Sequence, residues 1–258
     1  PYVRFKQDPV RMLRLLKFQA RFGLEVDPDA HIALVECREE IIKSSSARVL
    51  EEMLRMLESG ASKPFIELLF QHGLLSHLLP ELAHFIEKEK DGADIYSFLH
   101  EIDIIFQDTM TDNLERPILL SSLVFPLLEK RIDTHFLMRD QIPHLGQIQQ
   151  HTRHLLDEFQ GFLLIPRRIR ICMHNILLGQ YRLTPVHKKK TKRRRIPRDS
   201  DFHLALKFLN LRTCLEPGLK SIYEEWHRLF MTLDEEERKP AKSLRRKPRR
   251  RKRATPKE

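Results

Sequence analysis

Apolar residues recur along most of this chain at the three- and four-residue spacing of amphipathic α-helices. Between Ser46 and Gly60, for example, Val49, Leu50, Met53, Leu54 and Leu57 would all lie on one face of a helix. The acids and arginines between them would then face solvent. The pattern predicts a helix that begins after Ser46 and ends at Gly60.

Helix start and stop signals divide the rest of the chain in the same way. Asp8 with Pro9 and Asp27 with Pro28 each pair a capping residue with a proline suited to the first helical turn, and Gly23 supplies a stop. No segment alternates β-branched and polar residues as a half-buried strand does, so we predict an all-α fold. The predicted helices span 8–23, 27–43, 46–60, 62–71, 93–107, 116–130, 146–160, 167–180, 200–211 and 216–233.

Composition narrows the class of protein. The 258 residues are long enough for one large or two smaller domains, and a mixture of 41% hydrophobic and 32% charged residues is typical of a globular chain. No apolar run is long enough to span a bilayer. The three cysteines are widely spaced and show no zinc pattern, so we expect no metal site and reduced thiols, as in a cytoplasmic protein.

The net charge of +10 is concentrated in two blocks. Residues 238–258 hold twelve Lys or Arg against one acid, and 188–198 hold eight with no acid. Uninterrupted basic blocks repel themselves and are stabilised by a polyanion, which favours RNA or DNA bound through its phosphates. An anionic membrane surface and a merely solubilising tail are the alternatives, although neither block carries the apolar anchors of an interfacial helix. We expect the tail to be disordered until it binds.

The opening segment QDPVRMLRLLKFQARFG, residues 7–23, contains the most specific pattern. On a helix, Arg11, Arg14, Phe18 and Arg21 form one stripe, which would suit a ligand with phosphates and a planar base. The residues alone also allow a simpler interpretation. Asp8 could be only a helix cap, and the arginines only surface residues that answer nearby acids.

This segment resembles the neck helix of the class II nucleotidyltransferases, which comprise the bacterial poly(A) polymerases and the CCA-adding enzymes. Their motif reads Glu-Asp-x-x-Arg, then a further Arg and an Arg/Lys-Phe pair. Asp8, Arg11, Arg14, Lys17 and Phe18 match it here, whereas Gln7 replaces the usual Glu. The resemblance continues beyond the neck helix, over residues 44–62 and 69–82. Three further segments resemble the poly(A) polymerase branch in particular, namely residues 165–183, residues 201–212 and the arginine-rich tail.

The resemblance implies how the chain is organised and which residues act. It predicts a neck over 1–62, a helical body over 63–183, a basic loop over 184–198, a helical leg over 199–237 and the tail over 238–258. The nucleotide would face Asp8, Arg11, Arg14, Phe18 and Arg21. RNA would be held by a set of basic residues, namely Arg48, Arg167, Arg168, Arg170, Lys188, Lys189, Lys190, Lys192, Arg193, Arg194, Arg195, Arg249, Arg250 and Arg251.

The family performs nucleotidyl transfer with metal ions held by carboxylates of a separate head domain, and the resemblance implies ATP as the substrate here and Mg²⁺ in that head. The first residue here is Pro1 rather than Met, and we expect that head to lie upstream of this chain. The predicted function is therefore the RNA-binding, nucleotide-selecting portion of a poly(A) polymerase, monomeric and without catalytic residues of its own. The alternatives are the corresponding portion of a CCA-adding tRNA nucleotidyltransferase and a non-catalytic RNA-binding module.

Overall fold

The computed structural model describes residues 1–88, 92–108, 113–184 and 201–237. Within these ranges the chain forms α-helices and short 3₁₀ turns and contains no strand, so the prediction of an all-α fold is confirmed. The helices are α1 (Tyr2–Gln7), α2 (Val10–Phe22), α3 (Pro28–Cys37), α4 (Ser46–Leu57), α5 (Ser62–Gln71), α6 (Leu74–Leu78), α7 (Pro80–Lys88), α8 (Ala93–Gln107), α9 (Arg116–His135), α10 (Leu145–Phe159), α11 (Arg167–Leu183), α12 (Phe202–Leu215) and α13 (Lys220–Glu237).

Several helix ends lie where local signals placed them. The bounds of α5 and α8 are those predicted, and Asp27 caps α3 by accepting a hydrogen bond from the backbone N–H of Ala30 at 3.1 Å. Gly23 and Gly73 follow α2 and α5 with φ angles of 64° and 74°. Glycine adopts this left-handed conformation at little cost, which explains why both helices stop there.

Other predictions of helix ends were wrong. Asp8 does not cap α2: the helix begins at Val10, and the short helix α1 ends just before Asp8. The helix that begins at Pro28 does not continue to Lys43, because it tightens into a 3₁₀ helix over Arg38–Lys43. The short helices α6 and α7 were not predicted: α6 has only five residues, and α7, although Leu82 and Ile86 keep helical spacing, follows it after Leu79 alone.

The core is built around α9. All residues from Ile118 to Leu128 are buried, including Pro126 inside the helix, because α7, α8, α10, α11 and α12 surround it. One continuous hydrophobic cluster runs from Phe5 to Leu211, and a smaller one joins α12 to α13 around Leu209 and Trp226. No helix in the described ranges is long and apolar enough to cross a membrane.

The turn between α4 and α5 is held by α8. Asp103, on α8, accepts hydrogen bonds from the backbone N–H groups of Ser62 and Lys63 at 2.6 and 2.9 Å, and it is buried. Gln107, one turn further along, donates to the carbonyl of Gly60 at 2.6 Å. Helix α5 in turn packs against α2, so the hydrogen bonds from α8 also help to place α2.

Candidate nucleotide and RNA interface

The outer face of α2 carries the stripe that the sequence predicts. Arg11, Arg14, Phe18 and Arg21 are all exposed, while Met12, Leu13 and Leu16 are buried beneath them. The exposed fraction of the Phe18 side chain is 52%, a high value for a phenylalanine. Helix α2 therefore presents three guanidinium groups and an aromatic ring to solvent from a rigid base.

Asp8 lies between two arginines rather than at a helix cap. Its carboxylate is 3.3 Å from Nη2 of Arg48, on α4, and 3.7 Å from Nε of Arg11. The structure thereby brings together a residue predicted to contact the nucleotide and one predicted to contact RNA. Two cations beside one carboxylate leave a local excess of positive charge, which favours an anionic ligand.

The carboxylate of Glu52 contacts Arg14, in the middle of the stripe, from the buried side of α2. This carboxylate is buried on α4, accepts a hydrogen bond from Nε of Arg14 at 3.0 Å, and has Nζ of Lys17 3.9 Å away. Buried acids are rare unless they are paired, and Arg14 supplies that pairing for Glu52. It was not among the predicted site residues, because the apolar spacing of α4 predicts that its acids face solvent, and for Glu52 that prediction was wrong.

Three planar groups gather at the far end of α2. The Phe18 and Phe22 rings are stacked with centroids 6.2 Å apart, and Cζ of Arg21 lies 5.5 Å from the Phe22 centroid. Exposed rings and guanidinium planes of this kind can stack on nucleobases. Phe22 was missed from the sequence, although it follows Phe18 by four residues and therefore lies on the same face of α2.

An arginine clamp joins α4, which carries Arg48 and Glu52, to the central helix. Arg116 donates to Glu51 at 2.9 Å and to Glu58 at 2.6 Å, and Arg55 also donates to Glu51, at 3.0 Å. Hydrogen bonds from Arg116 and Arg55 lower the pKa of Glu51 from its ordinary value. The clamp lies at the surface, so it orients α4 more than it stabilises the fold.

The remaining predicted RNA contacts lie elsewhere. Arg167, Arg168 and Arg170 begin α11, which packs against α9, α10 and α12, whereas α2 packs against α1, α4 and α5. Arg167 and Arg168 are exposed, and Arg170 donates to Asp157 at 3.0 Å. The other predicted contacts fall outside the described residues, namely Lys188, Lys189, Lys190, Lys192, Arg193, Arg194, Arg195, Arg249, Arg250 and Arg251.

Two family models match consecutive parts of the chain. Residues 23–86 match the model described as the probable RNA and SrmB-binding site of polymerase A, and residues 140–258 match the polymerase A arginine-rich C-terminus. The chain belongs to the bacterial poly(A) polymerase family. The first match begins directly after α2, so the stripe on α2 precedes it.

Sequence similarity to individual curated proteins supports the same family. The chain is 29% identical to poly(A) polymerase I of Haemophilus influenzae over 71% of its own length and 40% of that protein. It is 24% identical to poly(A) polymerase I of Salmonella typhimurium over 84% of its length and 46% of that protein. A shorter match, 38% identical over 30% of the chain, is to the multifunctional CCA protein of Alkalilimnicola ehrlichii. The chain thus spans less than half the length of the poly(A) polymerases that it matches.

A double-mutant cycle tests whether Glu52 positions Arg14 in this member of the poly(A) polymerase family. We expect Glu52→Gln and Arg14→Met to show a coupling of about 1 kcal/mol in the free energy of unfolding, because one partner is buried. Urea denaturation of the four proteins measures it. The exposed pair Lys43–Glu40, 2.6 Å apart, is the matched control and should couple by no more than about 0.5 kcal/mol. Equal couplings for the two pairs would remove the positioning role.

Proposed function

We propose that this chain is the nucleotide-facing and RNA-guiding portion of an enzyme that adds AMP from ATP to RNA 3′ ends in the cytoplasm. The observation that carries the proposal is the exposed α2 face, where Glu52 of α4 holds Arg14 and Arg48 of α4 holds the neighbouring Asp8. A ligand of phosphates and a planar base needs fixed cations beside an exposed ring. Membership of the poly(A) polymerase family supports the same reaction.

The residues of the α2 face would divide the work of binding the nucleotide. Arg11 and Arg14 would donate to phosphates or to base edges, and Asp8 would accept from the amino group of adenine. Phe18 and Arg21 would contact the base or the end of the RNA. Asp8 would be held in place by Arg48, and because Gln7 replaces the Glu of the family motif, Asp8 would be the carboxylate that orients Arg11.

The chemical step would take place outside this chain. Mg²⁺ bound by head-domain carboxylates supplies the metal chemistry of nucleotidyl transfer in this family. The residues of this chain would bind and orient ATP and exclude the wrong base. We therefore expect the isolated chain to incorporate no AMP, and sustained Mg²⁺-dependent incorporation by it alone would contradict the assignment.

RNA would be held as a single strand without regard to its sequence. The start of α11, the block 188–198 and the tail 238–258 supply positive charge for its phosphates, and one copy of the chain would suffice. Backbone contacts of this kind guide a strand but do not select it. The products would then be long oligoadenylate additions to many different RNAs.

Addition of CCA to tRNA is the second candidate, because part of the chain is 38% identical to a multifunctional CCA protein. The match of residues 140–258 to an arginine-rich polymerase A terminus favours the first. Joining a catalytic head ahead of Pro1 would separate them. Long tracts made from ATP alone support poly(A) synthesis, whereas a short product that requires CTP supports the alternative.

Salt dependence of RNA binding tests the guiding role. If the block and tail neutralise about five phosphates, the slope of log K against log salt should be near −3.5 on a single strand. Ending the chain after Leu233 should make the slope shallower and weaken binding to unrelated RNAs alike. Fluorescence anisotropy with labelled RNAs of two different sequences, at several salt concentrations, measures both quantities.

Two results would count against the guiding role. Binding by the intact chain that does not change with salt would show that phosphates are not the main contact. Binding by the shortened chain with an unchanged slope would show that the tail does not take part. In the second case the basic residues that precede the tail would have to provide the phosphate contacts.

A further inference from the structure

A groove with basic residues along its edge lies on the body of the molecule, between α7, α9 and α10. Its volume is about 230 Å³, and its floor is formed by the ring of Phe85 and by Leu127 and Leu155. Sites for drug-sized ligands are usually larger, about 300–1,000 Å³. The groove is therefore the right size for one flat group with its neighbouring atoms rather than for a large ligand or a folded partner.

Lysine, arginine and histidine side chains line this groove. Lys88 and His84 come from α7, and Lys130, Arg131 and His135 come from the last turns of α9. The side chains of Lys88 and Lys130 are exposed, and Arg131 makes a 2.6 Å contact with Glu158. Glu81 is the acid among the lining residues, so the fixed positive charges exceed the negative ones.

Helix α9 separates its charges by face. Lys130, Arg131 and His135 line the groove, while Glu129 and Asp133, from the same turns, line a different pocket beside Arg212. Cations in the last turn of a helix are stabilised by its dipole, which accounts for the positive charge at the end of α9. The dipole does not explain why the acids of the same turns lie on the opposite face. The separation gives the groove a positive potential in a body that is otherwise rich in acids.

Ring contacts hold His135 at one end of the groove. Nδ1 of His135 lies 2.8 Å from the carbonyl oxygen of Arg131, and its ring is 5.0 Å from the ring of His151, on α10. The His151 ring also meets Phe136 edge-on at 5.3 Å. These contacts hold the His135 ring at the end of the groove, and a side chain already in place lowers the entropic cost of binding.

We propose that this groove binds one nucleotide of a single-stranded RNA, with the base against Phe85 and the adjoining phosphates near Lys88 and Lys130. An aromatic floor with a cationic rim is the usual composition of sites that bind single strands without reading sequence. The inference rests on the proposed RNA-guiding function, and it places a contact for the strand on the body, distinct from the α2 face and from the basic block and tail.

The test compares two charge-matched double variants of the full chain by titration with labelled oligoadenylate. Lys88→Gln with Lys130→Gln should make the log–log salt slope shallower by about 1.4, the change expected when two phosphate contacts to a single strand are lost. Lys207→Gln with Lys220→Gln removes the same charge from α12 and α13, outside every surface assigned here, and should leave the slope as it was.

A third variant tests the base contact separately. Phe85→Leu keeps the floor apolar but removes the stacking surface, so it should weaken binding at least about fivefold at every salt concentration with no change in slope. Thermal unfolding of all three variants shows whether each remains folded at the temperature of the titration. The lysine variants lie at the surface and keep the test valid if Phe85→Leu is unstable.

The outcomes distinguish the groove from the proposed function. If the unchanged chain binds oligoadenylate without salt dependence, the RNA-guiding function fails and the groove proposal fails with it. If the unchanged chain binds as expected but the two double variants give equal slopes, only the groove proposal is overturned. A shallower slope for the Lys88 and Lys130 variant alone supports it.

Discussion

Arg212→Met should lower the free energy of unfolding by about 3 kcal/mol, measured by urea denaturation at pH 7. The side chain of Arg212 is only 6% exposed; its guanidinium donates to Glu216 at 2.9 Å and lies 3.7 Å from Glu129. Its Cζ is also 4.4 Å from the centroid of the Phe125 ring. Removing one partner of a buried ion pair costs about 3–5 kcal/mol. We expect a loss at the lower end of this range, because the side chains of Glu129 and Glu216 both reach solvent.

The effect of Arg212→Met should also depend on pH. Burial raises the pKa of Glu129 to about 7 in the folded chain, above its ordinary value, while Arg212 opposes that rise. A carboxyl whose pKa is raised by folding contributes stability below its unfolded pKa and loses it as pH rises through the folded value. Without Arg212 the folded pKa would rise further, so the destabilisation should be larger at pH 8 than at pH 5.

Arg212→Lys is the control for charge at the same position. Lysine keeps the positive charge but not the planar stacking on Phe125 or the several N–H donors, so it should lose part of the stability and show less pH dependence. A loss that is equal for Met and Lys, and equal at both pH values, would mean that packing on Phe125 matters and the two carboxylates do not. Since Glu129 is 42% exposed, solvent screens its share of the effect.

The parts of the fold that could be predicted from the sequence are those decided within a few residues. The bounds of α5 and α8 follow from apolar spacing and from glycine, and Asp27 caps α3 through its own first turn. Long-range contacts left no such signal. Asp103 bonds to the start of α5 from 41 residues away, and Arg212 meets Phe125 only because α12 crosses α9.

In the candidate site, too, the features that could be predicted are local and those that could not depend on how helices pack. The stripe on α2 is a property of one helix, so its spacing predicted that Arg11, Arg14, Phe18 and Arg21 would be exposed together. The pairing of Asp8 with Arg48 depends on how α4 packs, and the cap predicted for Asp8 was wrong because the chain turns out of α1 at that residue. The groove beside α9 joins three helices, and no local pattern indicates it.

Asp103→Ala should lower the free energy of unfolding by about 3 kcal/mol. The Asp103 carboxylate is buried and accepts from two backbone N–H groups, those of Ser62 and Lys63, which the first turn of α5 cannot satisfy itself. Hydrogen bonds to a charged group contribute about 1.5–3 kcal/mol each, and unsatisfied buried donors are costly. Urea denaturation, with hydrogen exchange at the amides of Ser62 and Lys63, measures the loss and locates it.

Two further variants separate the cap from a general loss of charge. Asp103→Asn keeps one carbonyl oxygen and should lose about half as much stability, whereas Asp157→Ala, whose partner Arg170 is 3.0 Å away at the surface, should lose less than about 1 kcal/mol. Because α5 packs against α2, faster exchange in Asp103→Ala should spread from α5 into α2. Exchange confined to α5 would show instead that α2 is held by α1 and α4, and that the nucleotide-facing stripe does not depend on this cap.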